Sequence, residues 1–159
     1  MSSSHIKSGS ASNASTHMPA NGLQVVLVDD SIPLRERMAA SVSAVHGVAR
    51  VRLANDVPSG LRLFEEHEPD VMILDIELPG QNGLDLLKII RRRRSSSLII
   101  MLSNHDHPKL REKCADLGAN FYFHKLTQFE QVAEVCRKLA ESREQQAHSS
   151  DLGSSQKPG

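Results

Sequence analysis

Five polar side chains end, or directly follow, four short apolar runs of the chain. They are, in chain order, Asp29, Asp30, Asp75, Ser103 and Lys125. The runs have the length and the aliphatic composition of buried β-strands. If the strands are parallel, their carboxyl ends lie at the edge of the sheet where such folds bind ligands. The sequence therefore predicts that the five side chains lie close together.

The three carboxylates of this set indicate a metal site. Three like charges at one edge repel each other unless a cation lies between them, since each would otherwise take up a proton or turn to solvent. Mg²⁺ prefers oxygen ligands and binds through one or two carboxylates together with water and phosphate oxygens. We expect Asp30, Asp75 and a backbone carbonyl just after Asp75 to bind Mg²⁺, with Asp29 acting through water.

Phosphoryl transfer is the chemistry that such a site supports, because the metal neutralises oxygens of the transferred group while a carboxylate attacks in line. We expect Asp75 to be the nucleophile, because it ends a buried strand and faces the groove at the sheet edge. Lys125 supplies a point charge for one phosphoryl oxygen, and the Ser103 hydroxyl supplies a donor for another.

Each of these residues also has an ordinary structural explanation. Adjacent aspartates after a strand are typical of a turn and of a helix start. Serines frequently begin loops, and a single lysine at a strand end indicates little. It is their joint placement, with one group or pair at each of four strand ends, that favours a site.

Strand-like and helix-like segments alternate strictly along the chain. The five strand-like runs comprise residues 23–28, 49–54, 70–75, 98–102 and 120–124. Apolar residues at three and four spacing predict helices over residues 32–46, 56–68, 82–94, 107–118 and 127–146. This alternation predicts an α/β fold: a five-stranded parallel sheet in the order 2-1-3-4-5 with helices on both faces. The second run alternates in polarity, which is typical of an edge strand.

Composition limits the classes of function. The 159 residues carry 19 basic and 19 acidic side chains, so no overall charge favours nucleic acid as a partner. No apolar run approaches the roughly 20 residues that a bilayer requires, so no membrane span is expected. Cys114 and Cys136 lack the spacing of a metal motif and suit buried thiols in a reducing compartment. We therefore expect one cytoplasmic domain.

The two polar ends of the chain are not expected to belong to the fold. Residues 1–21 are rich in Ser, Ala and Asn and lack the apolar stretch of a secretory signal, so they resemble a disordered leader or an expression tag. Residues 147–159 are similarly polar and are expected to form a disordered tail. The folded domain is accordingly expected to span residues 22–146.

From about residue 23 to residue 145, the chain resembles the receiver domain of bacterial two-component response regulators. The segments that carry the resemblance are VLVDDSIPLRERM, PDVMILDIELPGQNGLDLLKIIR, IIMLSNH and ADLGANFYFHK. The resemblance implies a flavodoxin-like fold, a requirement for Mg²⁺, and phosphorylation of Asp75 by a phosphohistidine of a histidine kinase or phosphotransfer protein. It implies a phosphoacceptor signalling domain that catalyses only its own phosphotransfer and dephosphorylation, not an enzyme for a separate substrate.

The same resemblance assigns roles to the five side chains. Asp29 and Asp30 match the metal-binding pair of the family, and Asp75 matches its phosphoacceptor. Ser103 matches the switch hydroxyl, and Lys125 matches the lysine that the family carries at this strand end.

Two further residues gain roles only through the resemblance. Tyr122 matches the aromatic that turns inward when the Ser103 hydroxyl engages the phosphoryl group, although a half-buried strand tyrosine would look the same in sequence. Glu77 would offer its carbonyl to the metal, while its carboxylate overhangs the site and tunes dephosphorylation. The chain departs from the family at Leu126, where a proline after a cis peptide bond is usual, and at Asn104, where a smaller residue is usual.

The expected output is contact with a protein. Only a polar tail follows the last predicted helix, so the chain resembles a stand-alone receiver of the chemotaxis-regulator type, a monomer or weak dimer. The fourth helix, fifth strand and fifth helix are expected to carry the contact, with candidates Lys109, Glu112, Gln128 and Gln131. The basic residues 91–94 end a helix, where cations suit the helix dipole, and do not indicate nucleic-acid binding.

Three alternatives differ from this interpretation. An FMN-binding flavodoxin needs a phosphate loop after the first strand, where two aspartates would repel phosphate. A phosphatase of the haloacid dehalogenase type carries its nucleophile on the first strand and its acidic pair late in the chain, the reverse of the order here. The third alternative is the N-terminal receiver fragment of a longer DNA-binding transcriptional regulator, which balanced charge and a polar tail disfavour without excluding.

Overall fold

Strands and helices alternate in the computed structural model, which describes residues 22–155, with side chains through residue 149. In chain order the elements are β1 (Leu23–Val28), α1 (Ile32–Ser43), β2 (Val48–Ala54), α2 (Val57–His67), β3 (Val71–Asp75), α3 (Gly83–Arg92), β4 (Leu98–Ser103), α4 (Pro108–Asp116), β5 (Phe121–His124) and α5 (Phe129–Ser155).

All five strands are parallel and lie in the order β2-β1-β3-β4-β5. The predicted α/β fold and its strand order are thereby confirmed. Every residue of β3 is buried, because the strand is central and helices cover both faces of the sheet. Its first four residues are apolar, and Asp75 at its end is the one charged residue. The strand β2 lies at an edge and is only partly buried, as its alternating sequence predicts.

The two faces of the sheet form two separate apolar cores. On one face, α2, α3 and α4 pack through residues such as Phe64, Leu86 and Cys114. On the other face, α1 and α5 pack through residues such as Met38 and Cys136. Both cysteines are free and buried, and burial raises the pKa of the Cys114 thiol to about 11 and that of Cys136 to about 12. The two thiols are therefore neutral parts of the core, as expected.

The last helix is longer than the sequence predicts. Its backbone continues to Ser155 instead of ending at residue 146, because no proline or glycine interrupts it before Gly153. Residues 147–155 are thus helical where a disordered tail was expected, although residues 144–149 are all exposed. The predicted leader, residues 1–21, lies outside the described residues. Although α5 is long, no helix within residues 22–155 is apolar enough to cross a membrane.

Candidate functional site

The four strand ends that were predicted to carry chemistry lie at one edge of the sheet. The strand β3 pairs with β1 on one side and with β4 on the other, and β5 pairs with β4. At this edge Asp29, Asp75, Ser103 and Lys125 are buried, whereas Asp30 is exposed. Because strand order and register fix these positions, the five predicted side chains share one edge of the molecule.

Lys125 joins the two buried carboxylates. Its Nζ lies 2.8 Å from Oδ2 of Asp75 and 3.1 Å from Oδ2 of Asp29. Burial works to lower the pKa of Lys125, but the hydrogen bond to Asp75 and the charges of Asp75 and Asp29 outweigh it and raise the pKa. Lys125 is therefore a cation near neutral pH, placed to hold both carboxylates.

Asp75 is completely buried, and both of its carboxylate oxygens have a donor. Oδ2 accepts from Lys125, and Oδ1 accepts from the Glu77 N–H at 3.0 Å. Burial raises the pKa of Asp75 to about 6, even though the hydrogen bond from Lys125 works in the opposite direction. The charge of Asp29 adds to the rise. Asp75 is thus a fixed carboxylate that is more basic than an ordinary aspartate.

Asp29, Asp30 and Asp75 form an acidic cluster. Each offers one carboxylate oxygen, and these oxygens lie within 4.8 Å of one another. Asp29 is held in place, because its Oδ1 accepts from the Ser31 N–H at 2.8 Å and its carbonyl accepts from the Arg35 guanidinium at 2.9 Å. Three carboxylates face one lysine, so negative charge is in excess, and all the ligand atoms are hard oxygens. The donor set fits Mg²⁺.

Glu77 extends from the loop after β3 to the end of β4. The Ser103 hydroxyl donates to Oε2 of Glu77 at 3.0 Å, and the Asn104 N–H donates to Oε1 at 3.3 Å. The Ser103 Oγ also accepts from the His105 N–H at 3.0 Å. The sequence did not predict the contact between Glu77 and Ser103, which are 26 positions apart, and metal binding by the Glu77 carbonyl stays a prediction.

Tyr122 is buried, and its hydroxyl, its ring and its backbone carbonyl each have a partner. Its hydroxyl donates to the His105 carbonyl at 2.6 Å. The guanidinium of Arg111, from α4, lies over the ring at 4.6 Å from its centroid and donates to the Tyr122 carbonyl at 3.1 Å. Arg111 is not among the predicted site residues, because an exposed arginine on a helix gives no local signal of such a contact.

The helix α3 begins directly behind the Asp75 backbone. A Cβ on Gly83, the first residue of α3, would lie only 2.1 Å from the Asp75 carbonyl oxygen. The Gly83 N–H donates to the Ile76 carbonyl at 2.9 Å, and Asn82 caps the helix by accepting from the Leu84 N–H at 2.6 Å. The glycine therefore lets the helix approach closely enough to fix the loop that follows Asp75.

The loop after Lys125 differs from the pattern of the family. The structure has no cis peptide bond within residues 22–155, so the bond between Lys125 and Leu126 is trans. The Leu126 side chain is 66% exposed at the rim of the site. Lys125 thus contacts both carboxylates even though leucine replaces the usual proline after it.

A parallel sheet in this strand order, with three carboxylates and a buried lysine at its carboxyl edge, defines the flavodoxin-like class of α/β proteins that bind ligands at that edge. Within this class, the profile of the response regulator receiver domain family matches residues 25–137. The chain belongs to this family, as the resemblance of its motifs predicts.

Three similar proteins illustrate the relationship. The chain is 30% identical over 91 residues to the DNA-binding transcriptional activator EvgA of Escherichia coli K12. This match covers 52% of the chain and 45% of EvgA. The chain is 28% identical over 116 residues to the nitrate/nitrite response regulator protein NarL of the same strain, covering 73% and 54%. A two-component response regulator of the LuxR family from Aurantimonas sp. SI85-9A1 has a TM-score of 0.69 at 25% identity, covering 76% of this chain and 86% of that one. The chain thus spans about half the length of EvgA and NarL.

Proposed function

We propose that this domain accepts a phosphoryl group on Asp75 from a phosphohistidine of a histidine kinase or phosphotransfer protein. The observation that carries the proposal is the surroundings of Asp75, which is buried at the ligand-binding edge, contacts Lys125 at 2.8 Å and belongs to a cluster of three carboxylates. The domain acts as a phosphoacceptor and catalyses only its own phosphorylation and dephosphorylation.

The transfer exchanges one bond to phosphorus for another. An oxygen of the Asp75 carboxylate forms a bond to phosphorus while the phosphorus–nitrogen bond of the donor breaks, and the imidazole leaves with that electron pair and takes up a proton. Lys125 orients the carboxylate before attack and can donate to an oxygen of the arriving group. The Ser103 hydroxyl, at the end of the neighbouring strand, is a second donor for the bound group.

Asp29, Asp30 and Asp75 would hold Mg²⁺, with the Glu77 carbonyl as the fourth predicted protein ligand. The bound ion supplies positive charge that offsets the charge of the phosphoryl oxygens. Of the three carboxylates, Asp30 is the exposed one, whereas Asp29 already contacts Lys125 and Ser31. This difference supports the prediction that Asp30 binds the ion directly and Asp29 acts through water.

Labelling with a small phosphodonor tests the proposal. Incubation with Mg²⁺ and acetyl phosphate is expected to add one phosphoryl group, as Asp75 displaces acetate from phosphorus. Intact-mass measurement is expected to show no added group in Asp75→Asn, or in the wild-type protein when a chelator removes Mg²⁺. The matched control is Asp116→Asn, an exposed aspartate on α4, which is expected to be labelled like the wild type. Unchanged labelling of Asp75→Asn would contradict the proposal.

We further propose that the output is contact with a protein through α4, β5 and α5. An apolar groove of about 420 Å³ lies between β5 and α5 and is lined by residues that include Phe121, Phe123 and Val135. Phe121 is 38% exposed and stacks on Phe123 with 5.7 Å between ring centroids. Exposed apolar surface of this kind is typical of a site of protein contact.

The four residues predicted for this surface differ in their availability. Lys109, Glu112 and Gln131 are exposed, and Gln131 lines the groove. Gln128 instead accepts a hydrogen bond from the His124 N–H at 2.8 Å, so its side chain stabilises the turn before α5. Gln128 is therefore a weaker candidate for partner contact than the other three.

A second candidate function is that of a receiver in a longer transcriptional regulator. The relative EvgA is a DNA-binding transcriptional activator, and this chain covers 45% of it. The test is to read the gene beyond the codon for Gly159. A reading frame that continues into a DNA-binding domain would favour this function, whereas a stop codon there would favour the stand-alone receiver.

A further inference from the structure

The end of β4 is connected to Tyr122 by a continuous set of hydrogen bonds. Glu77 accepts from the Ser103 hydroxyl and from the Asn104 N–H. The peptide groups of His105 continue the connection, because its N–H donates to Ser103 Oγ at 3.0 Å and its carbonyl accepts from the Tyr122 hydroxyl at 2.6 Å. The conformation of the loop after β4 and the position of Tyr122 are therefore linked to the acceptor that Ser103 finds.

That acceptor is an anion at the edge of the proposed phosphorylation site. The Glu77 N–H donates to Oδ1 of Asp75, so Glu77 is attached to the phosphoacceptor through its backbone and to the switch serine through its side chain. A serine hydroxyl has a single hydrogen and donates to one acceptor at a time. A phosphoryl oxygen on Asp75 and the Glu77 carboxylate therefore compete for the same hydrogen of Ser103.

We propose that Glu77 is a positioning residue that substitutes for the phosphoryl group as the acceptor of the Ser103 hydroxyl, and so keeps Tyr122 buried before Asp75 is phosphorylated. The inference rests on the proposed function and deepens it, since it concerns regulation of the same site. It also changes one expectation from sequence, because Tyr122 need not turn inward on phosphorylation if Glu77 already holds it there.

Arg111 adds to the same arrangement from the side of α4. Its guanidinium stacks on the Tyr122 ring and donates to the Tyr122 carbonyl, which favours the buried position of the ring. Phosphorylation then transfers the Ser103 hydrogen bond from Glu77 to the phosphoryl group and releases the Glu77 side chain. The loop that carries Glu77 changes, while Tyr122 stays where it is.

A single reporter can follow this arrangement, because Tyr122 is the only tyrosine of the sequence. Incorporation of 3-fluorotyrosine gives one protein fluorine resonance, whose chemical shift and whose change between H₂O and D₂O report burial of the ring. For the wild-type protein, Mg²⁺ and beryllofluoride are expected to leave this resonance nearly unchanged. For Glu77→Ala, the resonance is expected to move toward that of an exposed tyrosine, and beryllofluoride is expected to return it to the wild-type position.

Three variants separate the proposed role from a general loss of structure. Glu77→Gln keeps one oxygen acceptor of the same reach, which is enough for the hydrogen bond from Ser103, so its tyrosine resonance is expected to lie near that of the wild type. Glu36→Ala removes an exposed glutamate from α1 and is expected to leave the resonance unchanged. In a double-mutant cycle, Glu77→Ala is expected to add nothing to Ser103→Ala, because Glu77 acts through the Ser103 hydroxyl.

An unmoved tyrosine resonance in Glu77→Ala would overturn the inference, as would an exposed tyrosine in the wild type that beryllofluoride buries. The same fluorine spectrum also distinguishes failure of this inference from failure of the proposed function of Asp75. Bound beryllofluoride gives its own fluorine resonance, and its absence in the wild type, with acetyl phosphate labelling also absent, would count against Asp75 as the phosphoacceptor.

Discussion

Asp75 combines a buried charge with a position at the ligand-binding edge. Its carboxylate is fully inaccessible and has only one cation, Lys125, within contact distance among the described residues, and Lys125 is shared with Asp29. Burial outweighs this partner and raises the pKa of Asp75 to about 6. The native protein therefore binds a proton at Asp75 more strongly than the unfolded chain does, which means that the ionised carboxylate destabilises the fold at neutral pH.

The substitution Asp75→Asn is expected to stabilise the protein at neutral pH while abolishing labelling. The rise in pKa from 3.8 to about 6 corresponds to at most about 3 kcal/mol at pH 7. Loss of one Lys125 contact reduces the gain, so we expect about 1–3 kcal/mol in the free energy of unfolding from urea titrations. The cost of the ionised carboxylate grows as pH rises from about 4 to about 6, so the difference between variant and wild type should shrink toward pH 4.

The control for this stability measurement is again Asp116→Asn, where an exposed charge is removed and the change should stay within about 0.5 kcal/mol. Added Mg²⁺ should stabilise the wild type more than Asp75→Asn, because the variant lacks one carboxylate of the cluster. The outcome that contradicts this prediction is a variant that is less stable than the wild type at pH 7 by an amount that does not depend on pH. Burial of the ionised Asp75 carboxylate would then not destabilise the fold.

The junction between β3 and α3 fixes the loop that follows Asp75. The helix α3 starts with Gly83 against the Asp75 carbonyl, and its first turn is closed by a capping box formed by Asn82 and Asp85. The loop between the two elements therefore has little freedom at its far end. Since Glu77 lies within it, the rigidity of this junction also sets where the Glu77 carboxylate can reach.

Gly83→Ala is expected to disturb this junction. The added Cβ would lie 2.1 Å from a backbone oxygen that cannot rotate away, so α3 or the Asp75 backbone must shift. We expect a loss of about 1–3 kcal/mol in the free energy of unfolding and slower labelling by acetyl phosphate. The control is Gly80→Ala in the same loop, where nothing lies within 4 Å and only the positive φ of 77° opposes a side chain. That variant should lose about 1 kcal/mol and keep its labelling rate; equal labelling rates in both variants would contradict the role given to Gly83.

The elements were predictable from sequence, whereas the contacts between their loops were not. Apolar periodicity predicts all five strands and the start of each helix to within about two residues, because burial on a sheet or helix face leaves a local pattern. The strand ends likewise place Asp75 and Lys125 at one edge. The hydrogen bond from Ser103 to Glu77 and the packing of Arg111 on Tyr122 join residues that are distant in sequence or exposed, and no periodicity records them. The extension of α5 also left no signal, because exposed polar residues such as Gln145 suit a helix and a disordered tail equally.

At the scale of the whole molecule, the two cores support the site from opposite faces of the sheet. The helices α1 and α5 cover one face together, and α5 contributes Val132, Cys136 and Ala140 to that core. Ala140 is the last of these along the chain, and its Cβ lies where a side chain on Gly47 would otherwise fit, 2.6 Å from the position of a Gly47 Cβ. Further along α5, Arg143 forms an ion pair with Asp70, in the loop before β3, and Glu144 lies 3.4 Å from His46, in the turn before β2. These are the last contacts of this kind along the part of α5 whose side chains are described.

These contacts predict where the domain can be shortened. Of the residues whose side chains the structure describes, a chain that ends at residue 146 loses only residues 147–149, which are exposed. Its free energy of unfolding should therefore stay within about 0.5 kcal/mol of that of the full chain. A chain that ends at residue 138 also loses Leu139, Ala140 and Arg143, and removal of this apolar surface should cost about 2 kcal/mol or more. Urea unfolding of the three chains, with labelling by acetyl phosphate as the measure of the site, checks both expectations. A marked loss of stability in the chain ending at 146 would mean that the helical extension to Ser155 belongs to the fold, because exposed helix without tertiary contacts contributes little to stability.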